Sequence, residues 1–114
     1  MELKEIMELQ YKFDEKHAGK FEWSIPITEN TINILAFLIV AMTGEIGELS
    51  NIVKKILRGD HSLEDSKEQI KDELVDIFIY LIKICNQMSI NLEEVFFNKL
   101  EQNIARFRQY EKND

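Results

Sequence analysis

The chain has little of several residue types that would direct it to particular classes of protein. Its 114 residues contain one cysteine, Cys85, so no disulfide can form within the chain. One proline and four glycines are too few for a domain built mainly of turns. The N-terminus is charged from Glu2 onward and does not resemble a signal peptide. We therefore expect a single domain, residues 1–114, in the cytoplasm.

Positive charge is also scarce. Lysine and arginine number 14 against 21 aspartates and glutamates, which gives a formal net charge of -7. Nucleic acid polymers and anionic membranes would be repelled, so we expect neither as a partner. The longest apolar run, residues 34–42, is less than half of the ~20 residues needed to cross a bilayer. This run is predicted to be a buried helix segment. The negative charge of the chain makes a cation a more natural ligand than a nucleic acid or an anionic membrane.

Apolar residues recur at spacings of three and four almost throughout, which is typical of amphipathic helices. Residues that typically begin or end helices divide the pattern into four helices, at residues 2–17, 28–57, 62–88 and 92–110. Gly59 is expected to end the second helix in the left-handed conformation, and Ser62 and Asn91 to cap the third and fourth. Helices joined by short connections predict an all-α fold, an antiparallel four-helix bundle.

Two pairs of acids stand where the pattern predicts core. Glu45 and Glu48 continue the apolar line of Leu38, and Asp76 is enclosed by apolar residues with Glu73 one turn earlier. Ionised carboxylates removed from water need a compensating positive charge. Oxygen ligands without histidine or thiolate favour Mg²⁺, or Mn²⁺, over zinc.

An alternative for the same acids is pairing with cations at the rim of the bundle, namely Lys54, Lys55 and Arg58. Gly44 and Gly47 lie inside the same helix, where each costs ~1 kcal/mol relative to alanine. We interpret them as a place where another backbone can approach closely. Tight packing would explain the glycines but not the acids.

The paired motif ExxE, then ExxD, together with its context, resembles the MazG-like all-α nucleoside triphosphate pyrophosphohydrolases. The resemblance covers residues 35–107 and is carried by "GEIGELSNIVKKILRGD", "KDELVDIFIYLIKI" and "INLEEVFFNKLEQNIARF". One difference is Gly44, where many members carry an acid. The resemblance implies antiparallel helices assembled as a dimer or a dimer of dimers. It also implies Mg²⁺-dependent hydrolysis of a nucleoside triphosphate to the monophosphate and pyrophosphate.

The resemblance further implies roles for individual residues. The metal ligands would be Glu45, Glu48, Glu73 and Asp76, and the nucleotide contacts Tyr80, Lys99 and Asn103. Their positions agree with these roles, because Lys99, Asn103 and Arg106 form a row of donors along the fourth helix. Arg106 has an alternative role as a cation near a helix C-terminus.

Further candidates follow from the chemistry. We expect Glu45 to orient the attacking water, and Lys55 is a second candidate for contact with phosphate. Trp23, Phe21 or Phe13 could stack on a base, although aromatic residues in a small bundle are more often core.

Two other functions stay open. The same acids would serve a pyrophosphohydrolase of the phosphoribosyl-ATP type, and a non-catalytic helical module could dimerise through residues 34–42. A di-iron bundle is excluded because neither His17 nor His61 has a glutamate three residues before it. Because the run at 34–42 is apolar on all sides, we predict a homodimer or tetramer.

Overall fold

A computed structural model describes residues 1–17, 19 and 22–112, and the candidate base contact Phe21 lies outside them. The protein is all-α. Its helices are α1 (Leu3–Lys16), α2 (Ile32–Leu57), α3 (Leu63–Gln87) and α4 (Leu92–Arg106). Short 3₁₀ turns, Glu29–Thr31 and Arg108–Tyr110, precede α2 and follow α4. The four predicted helices are confirmed, and α4 ends a turn earlier than expected.

The predicted helix ends are confirmed by their hydrogen bonds. The Ser62 hydroxyl accepts a bond from the backbone N–H of Asp65 at 3.0 Å, and the Asn91 side-chain oxygen accepts one from the N–H of Glu94 at 3.1 Å. Gly59 has a φ of 85°, the left-handed conformation that only glycine adopts without strain. These local signals set where α3 and α4 begin and where α2 ends.

The core lies between α2 and α3, which are joined by a short connection and pack side by side as an antiparallel pair. Ile34 and Leu38 of α2 are buried against Ile84 of α3. Half-buried side chains surround this cluster; they are Trp23, Ile25, Ile27, Leu35, Met42 and Tyr80. The α2–α3 pair therefore holds the main hydrophobic cluster of the described residues.

Helix α1 packs on α3 through buried polar contacts. The Lys83 ammonium lies 2.8 Å from the Asp14 carboxylate, and their side chains are only 12% and 2% exposed. Gln10 donates to the same Asp14 oxygen at 3.0 Å. Gln87 of α3 fixes the loop that follows α1. Its side-chain N–H donates to the backbone carbonyl of Ile25, and its backbone carbonyl accepts from the N–H of Ile27. This loop is thereby attached to the end of α3.

Helix α4 corrects the prediction of a four-helix bundle within one chain. It makes at most marginal contact with α1, α2 and α3. Its apolar stripe stays open to solvent, with Phe96, Leu100, Ile104 and Phe107 between 42% and 56% exposed. The stripe has the expected helical period, but the described residues of one chain leave it uncovered.

Two measurements of the chain, its radius of gyration and its accessible surface area, show that its shape is open. The radius of gyration is 17.7 Å, whereas a compact domain of this length has about 13 Å. The accessible surface is 8939 Å², and a compact monomer of this mass exposes about 6,500 Å². Each chain therefore exposes an excess of about 2,400 Å².

Two further expectations for α2 are wrong within one chain. The run 34–42 is only partly buried, because Ile39 and Val40 are 43% and 70% exposed. No backbone from another described element approaches Gly44 or Gly47, since a methyl group built on either meets nothing within 4 Å beyond its own helix. By length and composition alone, Glu29–Leu57 could also cross a membrane. Core helices of soluble proteins can have the same length and apolar composition, so these two properties do not assign the helix to a membrane.

Candidate functional site

The four acids singled out in the sequence meet where α2 faces α3. Glu45 and Glu48 are one turn apart on α2, and Glu73 and Asp76 are one turn apart on α3, so each pair occupies one face of its helix. The antiparallel arrangement of the two helices turns these faces toward each other. Each helix contributes its acids from rigid backbone, not from a loop.

Three of these acids form one cluster. Carboxylate oxygens of Glu45, Glu73 and Asp76 all lie within 4.8 Å of one another, and all three side chains are half-buried. Glu48 is more exposed and lies outside this group of three, but it interacts with Glu73. The structure therefore brings three of the four predicted ligands together and places Glu48 beside them.

Glu73 shows the electrostatic strain of this arrangement. Its Oε2 atom is shielded from solvent, and no described residue donates a hydrogen bond to it. A close contact with Glu45, then burial, then the contact and charge of Glu48 raise the pKa of Glu73 to about 7. In the absence of a cation, a proton on Glu73 relieves the repulsion among these carboxylates, and it is lost as the pH rises through about 7. A divalent cation would replace the proton and supply the missing partner, so the donor set fits Mg²⁺ or Mn²⁺.

Tyr80 lies one turn beyond Asp76 on α3. It is half-buried against the α2–α3 core. Burial raises the pKa of its hydroxyl, and the negative charges of Glu45 and Asp76 raise it further. Tyr80 therefore keeps its proton and presents a hydrogen-bond donor close to the acids.

The candidate aromatic residues differ in their surroundings. Trp23 is half-buried, with its ring 4.3 Å from the Lys83 ammonium and 5.7 Å from the ring of Phe37. Phe13 is 55% exposed and stacks on His17 at 4.1 Å. Of the two, only Trp23 contacts the same core cluster as Tyr80.

The structure does not bring the fourth-helix candidates to the acids of the same chain. Lys99 and Arg106 are exposed and Asn103 is half-buried on α4, which packs little on α2 or α3. The Arg106 guanidinium lies 4.9 Å from the ring of Phe107 instead. Lys55 is half-buried on α2, seven residues beyond Glu48, about 10.5 Å along the helix axis.

A polar cleft adjoins the acids and was missed by the sequence analysis. It encloses about 290 Å³ and is lined by Glu48, Asn51, Ile52, Gln69, Asp72 and Glu73. Asn51 follows Glu48 by three residues, and Gln69 precedes Glu73 by four, so the helical spacing used for the acids could have found both. Lys83 was also missed, although a lysine inside the apolar run "IYLIKIC" is a visible signal.

A helical hairpin that gathers carboxylate oxygens at one point defines a site for a hard cation, of the kind that supports phosphate chemistry. A family model, the MazG nucleotide pyrophosphohydrolase domain, matches residues 35–109. That range begins inside α2 and includes α3, α4 and all four acids. The chain belongs to the MazG nucleotide pyrophosphohydrolase family.

One curated relative agrees with this assignment. The Gene 37 protein of Mycobacterium phage L5 is 31% identical over 77 residues, which cover 63% of this chain and 68% of the phage protein. Its name states no activity. No solved structure matches the chain.

Proposed function

We propose that the protein is a Mg²⁺-dependent nucleoside triphosphate pyrophosphohydrolase of the cytoplasm, releasing a nucleoside monophosphate and pyrophosphate. The observation that carries this proposal is the cluster of Glu45, Glu73 and Asp76 within 4.8 Å, together with the unpartnered Oε2 of Glu73. A cluster that needs a cation, in a family of nucleotide pyrophosphohydrolases, is best explained as the reaction centre.

Glu45, Glu73 and Asp76 would hold the ion, with Glu48 completing the set on the side of Glu73. When bound, Mg²⁺ would offset the charge of the phosphates and lower the pKa of a coordinated water. Glu45 would orient a water molecule and accept its proton as the water oxygen bonds to the α-phosphorus. The bond from the α-phosphorus to the bridging oxygen breaks, and that oxygen keeps the electron pair and leaves with pyrophosphate.

Tyr80 and Trp23 are the proposed contacts on the nucleoside side. The Tyr80 hydroxyl donates to an oxygen of the substrate near the acids. Trp23 lies beside Lys83, which is seven residues beyond Asp76 on α3, about 10.5 Å along the axis. This is comparable to the length of a nucleoside monophosphate, so Trp23 is at a suitable distance to stack on the base.

A second copy of the chain would complete the site. We propose a homodimer, or a tetramer built from two dimers, in which α4 of one copy packs on the partner. The exposed stripe on α4 and the excess surface of about 2,400 Å² per chain support this assembly. Lys99, Asn103 and Arg106 would then reach the triphosphate from the partner, while Lys55 does so from the same chain as the acids.

The test is a panel of common and modified nucleoside triphosphates, with phosphoribosyl-ATP included, assayed for pyrophosphate release with Mg²⁺ and with EDTA. We expect metal-dependent release from at least one nucleoside triphosphate. Asp76→Asn should abolish it, and the matched variant Asp65→Asn at the start of α3 should not. Release from phosphoribosyl-ATP alone would replace the proposal with its close alternative. No release from any substrate would favour a non-catalytic helical module.

A further inference from the structure

The seam between α2 and α3 has different chemistry on the two sides of the acids. Toward the start of α2 and the end of α3 lie the aromatic rings of Trp23, Phe37 and Tyr80. Toward the end of α2 and the start of α3 lies the polar cleft with Asn51 and Gln69 on its walls. The acids stand between the two, because Glu48 and Glu73 also line the cleft.

The cleft walls offer hydrogen-bond donors that are not used elsewhere in the described chain. Each side-chain amide has two N–H groups, and neither Asn51 nor Gln69 makes a side-chain hydrogen bond to a described residue. Asn51 is on α2, Gln69 is on α3, and Lys55 adds a positive charge one turn beyond Asn51. Amide and ammonium donors suit the oxygens of a phosphate group.

Acids in the same cleft restrict what can enter it. Glu48 and Asp72 line it as well, and they would repel a free anion. A pyrophosphate group could lie there only with a divalent cation between it and the carboxylates. A bare base or sugar would leave the charges of Glu48 and Asp72 without a partner.

A nucleoside triphosphate has the same two-sided chemistry about its α-phosphorus. The base is aromatic, and the pyrophosphate end carries only acceptors and negative charge. We infer that the cleft between Asn51 and Gln69 receives the pyrophosphate half of the substrate, with the nucleoside directed toward Trp23. This inference rests on the proposed function and fixes the direction in which the substrate lies along the seam.

The test measures the two products separately. Mg²⁺-pyrophosphate and a nucleoside monophosphate are each titrated by calorimetry into the wild type, Asn51→Ala, Gln69→Ala and the control Asn33→Ala. Asn33 is an exposed amide on the same helix, α2, outside the cleft. Because Asn51 and Gln69 are exposed, neither replacement removes a buried side chain.

We expect each cleft variant to weaken Mg²⁺-pyrophosphate binding about fivefold to tenfold, which is less than a typical hydrogen bond to a charged group contributes, because this contact is exposed to water. Binding of the nucleoside monophosphate by the cleft variants should stay within about twofold of the wild type. Asn33→Ala should change the binding of neither product, because it removes no hydrogen-bond donor from the cleft. Unchanged pyrophosphate binding, or weaker monophosphate binding, would overturn the inference while leaving hydrolysis by the wild type intact. A wild type that hydrolyses no triphosphate would overturn the proposed function and this inference together.

Discussion

Replacement of Phe96 by alanine tests whether α4 is an interface. The residue is 56% exposed in one chain. A phenylalanine ring buries 150–250 Å² when fully covered, so a partner would remove about 100 Å² of it from water. At ~25 cal/mol per Å² this amounts to about 2.5 kcal/mol per copy.

A symmetric pair contains the residue twice, so the loss doubles to about 5 kcal/mol at most. Because alanine retains part of the contact, we expect a loss of about 3 kcal/mol in the free energy of association, which corresponds to roughly hundredfold weaker association. Sedimentation equilibrium over nanomolar to micromolar protein, with and without Mg²⁺, would measure the dissociation constant. Leu9→Ala is the matched control, since Leu9 is 55% exposed on α1 and away from the stripe.

Two results would refute the reasoning. A wild type that is still monomeric at about 10 µM would show that the stripe is not an interface, because this concentration is far above the Kd of most specific dimers. A Phe96→Ala protein that associates as tightly as Leu9→Ala would show that the interface lies elsewhere, with the exposed face of α2 as the remaining candidate.

Four further outcomes follow from the site and the core. Asp76→Asn should abolish turnover without changing the helical circular dichroism signal, because one ligand of the cation is lost. Folded apo protein binds the Glu73 proton more tightly than the unfolded chain does, so this group's contribution to stability is present below about pH 4.5 and is lost as the pH rises through about 7. In EDTA, Glu73→Gln should therefore melt above the wild type at pH 8 and close to it at pH 4.5. Lys99→Ala should weaken binding of a non-hydrolysable triphosphate by roughly one to two orders of magnitude and leave Mn²⁺ binding to the apo protein nearly unchanged. Lys83→Met should lower the free energy of unfolding by about 3–5 kcal/mol, because the buried Asp14 carboxylate would lose its opposite charge and keep only the hydrogen bond from Gln10.

Each of these has a result that would contradict it. Residual turnover in Asp76→Asn would remove that residue from the ligand set. A constant difference in melting temperature between Glu73→Gln and the wild type across this pH range would mean that Glu73 carries no unusual proton. Equal analogue binding by Lys99→Ala would reduce α4 to a scaffold and direct attention to Lys55. Denaturant unfolding of Lys83→Met with an unchanged midpoint would show that Asp14 finds water or another donor.

Local chemistry made the helices and the acids predictable from sequence. Ser62, Gly59 and Asn91 act within one turn of their own position, so their effects do not depend on the rest of the fold. Glu45 could be paired with Glu48, and Glu73 with Asp76, because helical spacing fixes which residues of one helix share a face.

What could not be predicted depends on how helices lie against one another. The apolar stripe containing Phe96 has the same period whether it is covered by its own chain or by a partner, so it could not show that α4 stands apart. The link between Lys83 and Asp14 joins residues 69 positions apart. No spacing rule within a helix reaches that far, and the lysine alone gave no sign of its partner.

The small size of the buried core has a consequence for the life of the chain in a cell. Among the described residues of one chain the buried apolar side chains are few; they are Ile34, Leu38, Ile82, Ile84 and Cys85. A protein that takes part of its stability from a partner is more fully folded at high concentration than at low concentration, by mass action. Freshly made chains would meet proteases before they meet each other. In the proposed dimer, the abundance of the protein would then rise more steeply than its synthesis, and low expression would leave almost none of it folded.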